Sequence, residues 1–214
     1  FPAEDGIRDQ GDGLVGSEMC IRDRLKVVGL IPTAENMPSG TALKPGDIIT
    51  CANGKTVEVD NTDAEGRLLL ADALHYAERF NPDIILDFAT LTGACVVALG
   101  HEAAGAMGND DELLNTLRKI GENVGERVWP LPLYEEYNSY IKSEWADFKN
   151  AGGRWGGVVT AGTFLKQFVP DKVAWAHLDV AGVANHDKEH NGLPKGASGF
   201  GVVLTVAFLE HLLK

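Results

Sequence analysis

The sequence has few cysteines, no long apolar run and no excess of positive charge, and each shortage excludes a class of protein. Three cysteines among 214 residues form no C-x-x-C pair, so neither a disulfide framework nor a zinc ribbon is indicated, and a reducing cytoplasm is favoured. No apolar run approaches the roughly 18 residues that a membrane helix needs. The net charge is −12, and because an acidic surface repels phosphate backbones, nucleic acid is a poor candidate partner.

The remaining composition is that of a globular domain with alternating strands and helices. Hydrophobic residues make up 44% of the chain and charged residues 23%, as in an average folded protein. Apolar and β-branched runs predict strands at 26–32, 48–52, 55–59, 84–88 and 173–180. The strands at 48–52 and 55–59 flank Asn53-Gly54 and are predicted to form a hairpin. Residues 26–32 and 84–88 are expected to be buried. Helical periodicity predicts helices at 67–80, 110–124, 158–168 and 200–213. This order predicts an α/β fold with layers around a sheet.

Residues 1–24 show neither a helical nor a strand period and are not a signal peptide. Residues 14–23 are what the string CTCGTGGGCTCGGAGATGTGTATAAGAGAC would encode, and this string resembles a transposase-type sequencing adaptor. Residues 3–9 are what GCAGAAGACGGCATACGAGAT would encode, and this string resembles another adaptor. We therefore interpret residues 1–24 as non-native, adaptor-derived and disordered, with the natural domain beginning near Leu25. The alternative is a disordered acidic tail.

The segment NTDAEGR at 61–67 lies between a predicted strand and a predicted helix and has two interpretations. Thr62 and Glu65 have the spacing of a capping box, which stabilises a helix start and needs no further function. On spacing alone this interpretation is favoured. Alternatively, Asp63 and Glu65 supply two carboxylates that suit hard divalent cations, and Arg67 beside a helix N-terminus suits a small anion.

The longer string NTDAEGRLLLADAL closely resembles the signature of the leucyl aminopeptidase family, the hexameric two-metal enzymes of the cytosol. Four further segments resemble family segments in the same order: VGLIPTAENMPSG, DFATLTGACVVALG, AHLDVAG and KGASGFGV. Together they extend the resemblance over residues 25–214. Several segments in one order make a stronger identification than any single motif.

The resemblance implies a fold, an activity and a set of site residues. The fold is a mixed sheet with helices on both faces. The activity is release of N-terminal amino acids, leucine favoured, from peptides by a homo-hexamer. Asp63 and Glu65 match ligands of two divalent ions, Mn²⁺ or Zn²⁺, and Arg67 matches a catalytic residue that holds bicarbonate. Further positions match the backbone and side chains that contact the substrate: Thr90, Leu91, Gly93, Ala181 and Ala184.

The family has further metal ligands upstream, which are a lysine and two aspartates, and it also has a second, electrophilic lysine. None of these residues has a match in this sequence. We therefore expect an aminopeptidase as the parent protein, of which this chain is the C-terminal part of the catalytic domain, with little or no activity of its own. One alternative is a non-catalytic assembly or binding subunit of the same family. Another is a metal-dependent hydrolase of a different bond, such as a phosphate ester, but the uncharged Thr90 and Ala181 argue against it because phosphate sites favour basic residues.

Other features have simpler interpretations. The glycine-rich stretch 152–157 lacks the Lys-Ser/Thr of a P-loop and is predicted to be a loop. His186 and His190 are predicted to lie in a solvated loop rather than a zinc site. His177, in an apolar strand, is predicted to be a satisfied core histidine, and Cys95 a small buried apolar residue.

Overall fold

The computed structural model describes residues 25–189 and 195–214, so the interpretation of residues 1–24 and of His190 falls outside the described residues. The described strands are β1 (Ile48–Thr50), β2 (Thr56–Glu58), β3 (Ile84–Ala89), β4 (Ala104–Gly108), β5 (Val128–Pro130), β6 (Phe148–Lys149), β7 (Ala174–Asp179), β8 (Asn185–His186) and β9 (Gly196–Ala197). The α-helices are α1 (Gly66–Ala77), α2 (Gly93–Leu99), α3 (Asp111–Val124), α4 (Gly157–Lys166) and α5 (Val202–Leu212), and 3-10 turns span Glu78–Phe80 and Glu135–Ile141.

The main sheet has four strands in the order β3-β7-β4-β5. Strand β7 runs parallel to β3 and antiparallel to β4, while β4 and β5 are parallel. The sheet is therefore mixed, as expected. Since neighbouring side chains on a strand point to opposite faces, Ala176 and Leu178 pack into one core cluster and Trp175 into another.

Helices cover both faces of this sheet, which confirms the predicted layering. Helices α3 and α5 meet one face, where Leu117 and Leu204 are fully buried. Helices α1 and α4 pack against the other face, where Leu68 and Phe164 lie in the cluster that contains Trp175. Burial of this apolar surface on both sides, at roughly 25 cal/mol per Å², holds the sheet in place beneath the loops that follow its strands.

A smaller sheet forms around the predicted hairpin. Strands β1 and β2 pair antiparallel across the Asn53-Gly54 turn, where Gly54 has a φ of +83°, and β6 adds to β2 in parallel. A positive φ at the turn is what glycine supplies without strain. Strand β2 ends at Glu58 and α1 begins at Gly66. The candidate ligand segment is therefore the short loop that connects β2 of the smaller sheet to helix α1.

Two of the expected strands differ from the structure. Residues 26–32 form no strand, and Ile31 is 81% exposed, because no strand in the described part of the chain lies beside them to accept their hydrogen bonds. Strand β3 forms as predicted but is only partly buried along its length, since it is the edge strand of the main sheet. The prediction of a buried strand at 84–88 is therefore wrong in burial and right in position.

Helix α2 and strand β4 were not predicted from the sequence, because their segment is rich in small residues. Strand β4 has the sequence AGAMG, which lacks the β-branched residues that mark strands. The structure shows why small residues stand there: a Cβ on Gly105 would lie 2.9 Å from Cys95 Sγ, and one on Gly108 would lie 2.3 Å from the Trp175 carbonyl oxygen. Close packing therefore replaces intrinsic strand preference at this position.

Helix α5 leaves part of its apolar surface uncovered beside the edge strand β3. A groove of about 370 Å³ runs there, which we call the α5 groove; it is lined by Phe88, Phe200, Gly201, Val202, Thr205, Val206 and Leu209. Val202 is 65% exposed. Within residues 25–189 and 195–214, no helix has both the length and the apolar character needed to cross a membrane.

Candidate active site

The candidate metal ligands lie in the loop between β2 and α1. Asp63 is exposed and Glu65 is partly buried. Helix α1 has its N-cap at Glu65, with φ −78° and ψ −33° and no side-chain cap bond. The capping-box interpretation is therefore wrong, because Thr62 lies three residues before the N-cap and cannot reach the first free N–H groups of the helix. Both carboxylates are left available for another role.

Asn150, directly after β6, holds this loop in shape. Its Oδ1 accepts hydrogen bonds from the N–H groups of Asp60 at 2.8 Å and Asn61 at 3.1 Å. Its Nδ2 donates to the carbonyl oxygens of Asn61 at 2.7 Å and Ala64 at 3.2 Å. Asn150 is fully buried, so these four bonds satisfy the polar atoms of its own side chain, which water reaches poorly.

Arg67 is the buried cation of the site, with 7% of its surface exposed. Its Nη1 donates to the Asn150 carbonyl oxygen at 2.7 Å, while its buried Nε has no hydrogen-bond partner among the described residues. Burial lowers the pKa of Arg67 to about 10, and the negative charges of Asp179 and Glu65 oppose that change. The guanidinium stays charged at neutral pH, with an unused donor that suits an anion.

The candidate substrate residues lie where two neighbouring parallel strands end. Thr90, Leu91 and Gly93 follow β3, and Ala181 and Ala184 follow β7. The carboxyl ends of parallel strands share one edge of a sheet, which is where α/β proteins place binding sites. The structure thus brings both groups to one edge, and Leu91 reaches the ligand loop: its Cδ1 would lie 3.7 Å from a Cβ on Gly66.

Asp179 joins the two groups of substrate residues. Its Oδ1 accepts hydrogen bonds from the N–H groups of Leu91 and Ala181, both at 3.2 Å, and its Oδ2 accepts from the Thr92 hydroxyl at 2.7 Å. Thr92 is the N-cap of α2 and accepts in turn from the Cys95 N–H at 3.1 Å. The other candidates are less connected: Thr90 and Gly93 are exposed, and Ala184 is half-buried with its carbonyl bound to the Ser198 N–H.

Sequence reasoning missed Asn150 and Asp179 as parts of the site. Asp179 did carry a signal, because an acid that ends an apolar strand must be paired if it is buried. Asn150 carried none, since an asparagine before a glycine-rich stretch is typical of any loop. Their importance comes from hydrogen bonds to residues more than 80 positions away, which no local pattern shows.

The two histidine predictions and the cysteine prediction have separate outcomes. His177 is a core histidine, as predicted: it is fully buried, and its Nδ1 donates to Asp87 at 2.5 Å. The prediction that it is satisfied is wrong, because its buried Nε2 has no hydrogen-bond partner among the described residues. The solvated loop predicted at His186 is wrong, because this residue is 8% exposed and lies in β8. Cys95 is buried, as predicted, and burial raises the pKa of its thiol to about 11.

The donor set fits divalent cations only in part. Carboxylate oxygens are ligands that hard cations such as Mn²⁺ and Mg²⁺ accept, and Zn²⁺ accepts them too. In residues 25–189 and 195–214, however, no group of three or more His, Cys, Asp or Glu side chains is arranged to hold a metal ion. Asp63 and Glu65 by themselves could supply at most two ligands of a larger set, whereas the unpartnered Nε of Arg67 is a buried donor that suits an anion.

Comparisons with known proteins identify relatives of this chain. A sequence model described as cytosol aminopeptidase family, catalytic domain, matches residues 15–206. The probable cytosol aminopeptidase of Geobacter sp. (strain M21) is 52% identical over 199 residues, which are 93% of this chain and 40% of that protein. The probable cytosol aminopeptidase of Geotalea uraniireducens (strain Rf4) is 56% identical over 186 residues, or 87% of this chain and 37% of that protein.

A solved structure supports the same relationship. A tomato leucine aminopeptidase mutant superimposes with a TM-score of 0.79 at 47% sequence identity, over 84% of this chain and 35% of that chain. The chain thus spans about two fifths of the length of the curated relatives it matches.

Proposed function

The chain belongs to the cytosol aminopeptidase family, and on that premise we propose that it is part of a metal-dependent aminopeptidase that releases N-terminal amino acids, leucine favoured, from peptides. The activity proposed is that of the whole protein, since the matched residues cover only 40% of the length of such a relative. For residues 1–214 alone we propose little or no hydrolysis, because two carboxylates are few for two metal ions.

One observation carries this proposal: a buried, charged Arg67 lies near Glu65, and neither Glu65 nor the exposed Asp63 makes a side-chain hydrogen bond among the described residues. Arg67 is nearly inaccessible and keeps an unpartnered Nε, which is costly unless a ligand uses it. Glu65 is close enough to Arg67 to affect its pKa, and although it stands at the N-cap position of α1, its side chain makes no capping bond. A merely structural loop needs neither feature, whereas a cation and anion site needs both.

The residues divide the chemistry between them. Asp63 and Glu65 would hold the two divalent ions, Mn²⁺ or Zn²⁺, which when bound supply Lewis-acid activation of the scissile carbonyl. Arg67 would hold a bicarbonate ion through its free Nε by a charge-assisted hydrogen bond. Asn150 fixes the position of the guanidinium relative to the loop, because it forms hydrogen bonds with both the loop backbone and Arg67 Nη1.

The substrate would lie along the sheet edge. Thr90, Gly93, Ala181 and Ala184 are small, which leaves room for an apolar side chain such as leucine, and each methylene placed there adds about 1–3 kcal/mol of discrimination. Leu91 lies between this pocket and the ligand loop, so its backbone is suited to contact the peptide at the reacting end. None of these residues is charged, in keeping with a peptide rather than a phosphorylated substrate.

We also propose a cytoplasmic homo-hexamer for the whole protein. The location is supported by the relatives, which are called cytosol aminopeptidases. The net charge of −12 makes nucleic acids and anionic membrane surfaces unfavourable partners. Peptides remain the partners that the site chemistry supports.

The proposal is tested by titrating the purified chain with Mn²⁺ in calorimetry, next to the variants Asp63→Asn and Glu65→Gln. Weak binding that falls at least tenfold in either variant is expected, whereas Asp111→Asn, an exposed acid in the first turn of α3, should bind as the unmodified chain does. Binding unaffected by both site substitutions would refute the ligand assignment and favour a non-catalytic family member.

Hydrolysis of leucine p-nitroanilide by the same preparation, with Mn²⁺ and bicarbonate, tests the second half of the proposal. Little or no product is expected from residues 1–214. Robust, metal-dependent hydrolysis would contradict the proposed inactivity of the chain while supporting the aminopeptidase activity itself.

A further inference from the structure

The end of β7 holds a carboxylate that collects hydrogen bonds from two separate loops. Asp179 is fully buried and accepts from Leu91 and Ala181 through one oxygen and from Thr92 through the other. A buried charge is stable only when it is paired and hydrogen-bonded. Three donors and the nearby positive charge of Arg67 supply that compensation here.

Two of these three donors are the backbones of residues proposed to bind substrate. Leu91 belongs to the loop after β3 and Ala181 to the loop after β7, and 88 residues separate Leu91 from Asp179. A neighbouring backbone bond, from the Val180 N–H to the Ala89 carbonyl oxygen at 2.8 Å, continues the sheet but reaches neither residue. The Asp179 carboxylate is therefore the hydrogen-bond acceptor that joins the backbones of Leu91 and Ala181 directly.

The same carboxylate is coupled to the anion side of the site. Its charge acts on Arg67, and Leu91, which it holds, packs next to Gly66 between Glu65 and Arg67. Through Thr92 it also fixes the first turn of α2, since the Thr92 hydroxyl both donates to Asp179 and accepts from Cys95. One side chain thus reaches the pocket, the α2 N-terminus and the buried cation.

We propose that Asp179 is a positioning residue: it fixes the loops after β3 and β7 relative to each other and to Arg67, and so sets the width of the pocket for the N-terminal side chain. The effect on side-chain selection rests on the proposed aminopeptidase function. The effect on the loops does not, because it follows from the hydrogen bonds alone.

The test compares the full chain with the variant Asp179→Asn, which keeps the shape but removes the charge. Amide hydrogen exchange followed by NMR is expected to be about tenfold faster at Leu91 and Ala181, because a neutral amide oxygen accepts weaker hydrogen bonds than a carboxylate. The Val180 amide reports on the sheet and is expected to stay protected. Equal acceleration at all three amides, or none, would overturn the positioning role.

Two further variants separate this role from general loss of stability. Asp87→Asn is the matched control: Asp87, on the adjacent β3, accepts from His177 and from the Trp175 Nε1 at 2.7 Å, and its loss should leave the Leu91 and Ala181 amides unchanged. Thr92→Val should accelerate exchange at Leu91, and Thr92→Ser, which restores the hydroxyl, should return it to the original rate. Failure of serine to rescue would contradict the hydrogen-bond mechanism.

Binding of L-leucine and L-alanine in the presence of Mn²⁺ tests the consequence for selection. Asp179→Asn is expected to weaken L-leucine binding about tenfold and L-alanine binding less, because only the larger side chain needs the fixed width. Equal affinities in variant and unmodified chain would overturn the selection role while leaving the aminopeptidase proposal intact. If the unmodified chain binds no L-leucine, the pocket assignment within the proposed function fails, and the amide exchange still decides whether Asp179 positions the loops.

Discussion

Replacing Asn150 with alanine removes four hydrogen bonds from the ligand loop in one step. The side chain of Asn150 accepts from the N–H groups of Asp60 and Asn61 and donates to the carbonyl oxygens of Asn61 and Ala64. Its own backbone carbonyl, which receives Arg67 Nη1, is retained in the variant. The substitution therefore tests how far the loop shape depends on this one side chain.

The expected loss of stability follows from the number of bonds and their exposure. A typical buried hydrogen bond contributes about 0.5–1.5 kcal/mol, so four bonds set a range of about 2–6 kcal/mol. Asp60 and Asn61 are exposed residues, whereas Ala64 is buried, and water can replace part of what the first two lose. We expect the free energy of unfolding to fall by about 2–4 kcal/mol, which lies in the upper part of the range for single substitutions.

Urea unfolding followed by tryptophan fluorescence measures this loss. Asn138→Ala is the matched control, because the Asn138 side chain makes two hydrogen bonds to described residues, Glu135 and Gln167, on the 3-10 turn at the surface. Its loss should be about 1 kcal/mol or less. Equal losses in the two variants would refute the argument that Asn150 organises the loop.

Three further outcomes follow from packing and from the pKa values. Burial raises the pKa of Cys51 to about 12 and that of Cys95 to about 11, so almost no thiolate forms at pH 8. Peptide mass spectrometry should therefore find both cysteines unmodified by iodoacetamide until the chain is denatured. Rapid labelling of the folded chain would contradict this. In Gly182→Ala the new Cβ would lie 2.2 Å from the Gly100 carbonyl oxygen, so thermal unfolding should show a loss of about 1–3 kcal/mol, whereas Gly93→Ala, which meets nothing within 4 Å, should change stability little. The α5 groove beside the unpaired edge of β3 should cause concentration-dependent self-association in sedimentation experiments, and a single monomeric species at high concentration would count against it.

The elements that local chemistry determines were predictable from the sequence. Asn53-Gly54 predicted the hairpin because its turn needs a positive φ, which Gly54 adopts. Asp110 was expected at the start of a helix, and its side chain caps α3 by accepting from the Leu113 N–H at 2.8 Å. Segment 93–108 was missed because its small residues are selected by close contacts, such as that of Gly105 with Cys95, and not by strand or helix preference.

The charged residues of the candidate site were predictable from the sequence, but the residues that hold them in place by hydrogen bonds were not. Asp63, Glu65 and Arg67 stand together in the sequence, so their proximity needed no structure. The burial of Arg67 and the roles of Asn150 and Asp179 depend on pairing between distant segments. A single sequence contains no local signal for such pairings, because the same residues would serve equally well in an exposed loop.

Strand β7 lies between β3 and β4, although it is the last of the four main-sheet strands along the chain. During synthesis, β3 and β4 emerge before the strand that lies between them, since the end of β4 at Gly108 and the end of β7 at Asp179 are 71 residues apart (179 − 108). At a translation rate of about 5–20 residues per second, this interval lasts about 4–14 seconds. For that period the nascent chain presents strands without their central partner, so ribosome-bound chaperones have both the time and the target to bind it before the sheet can close.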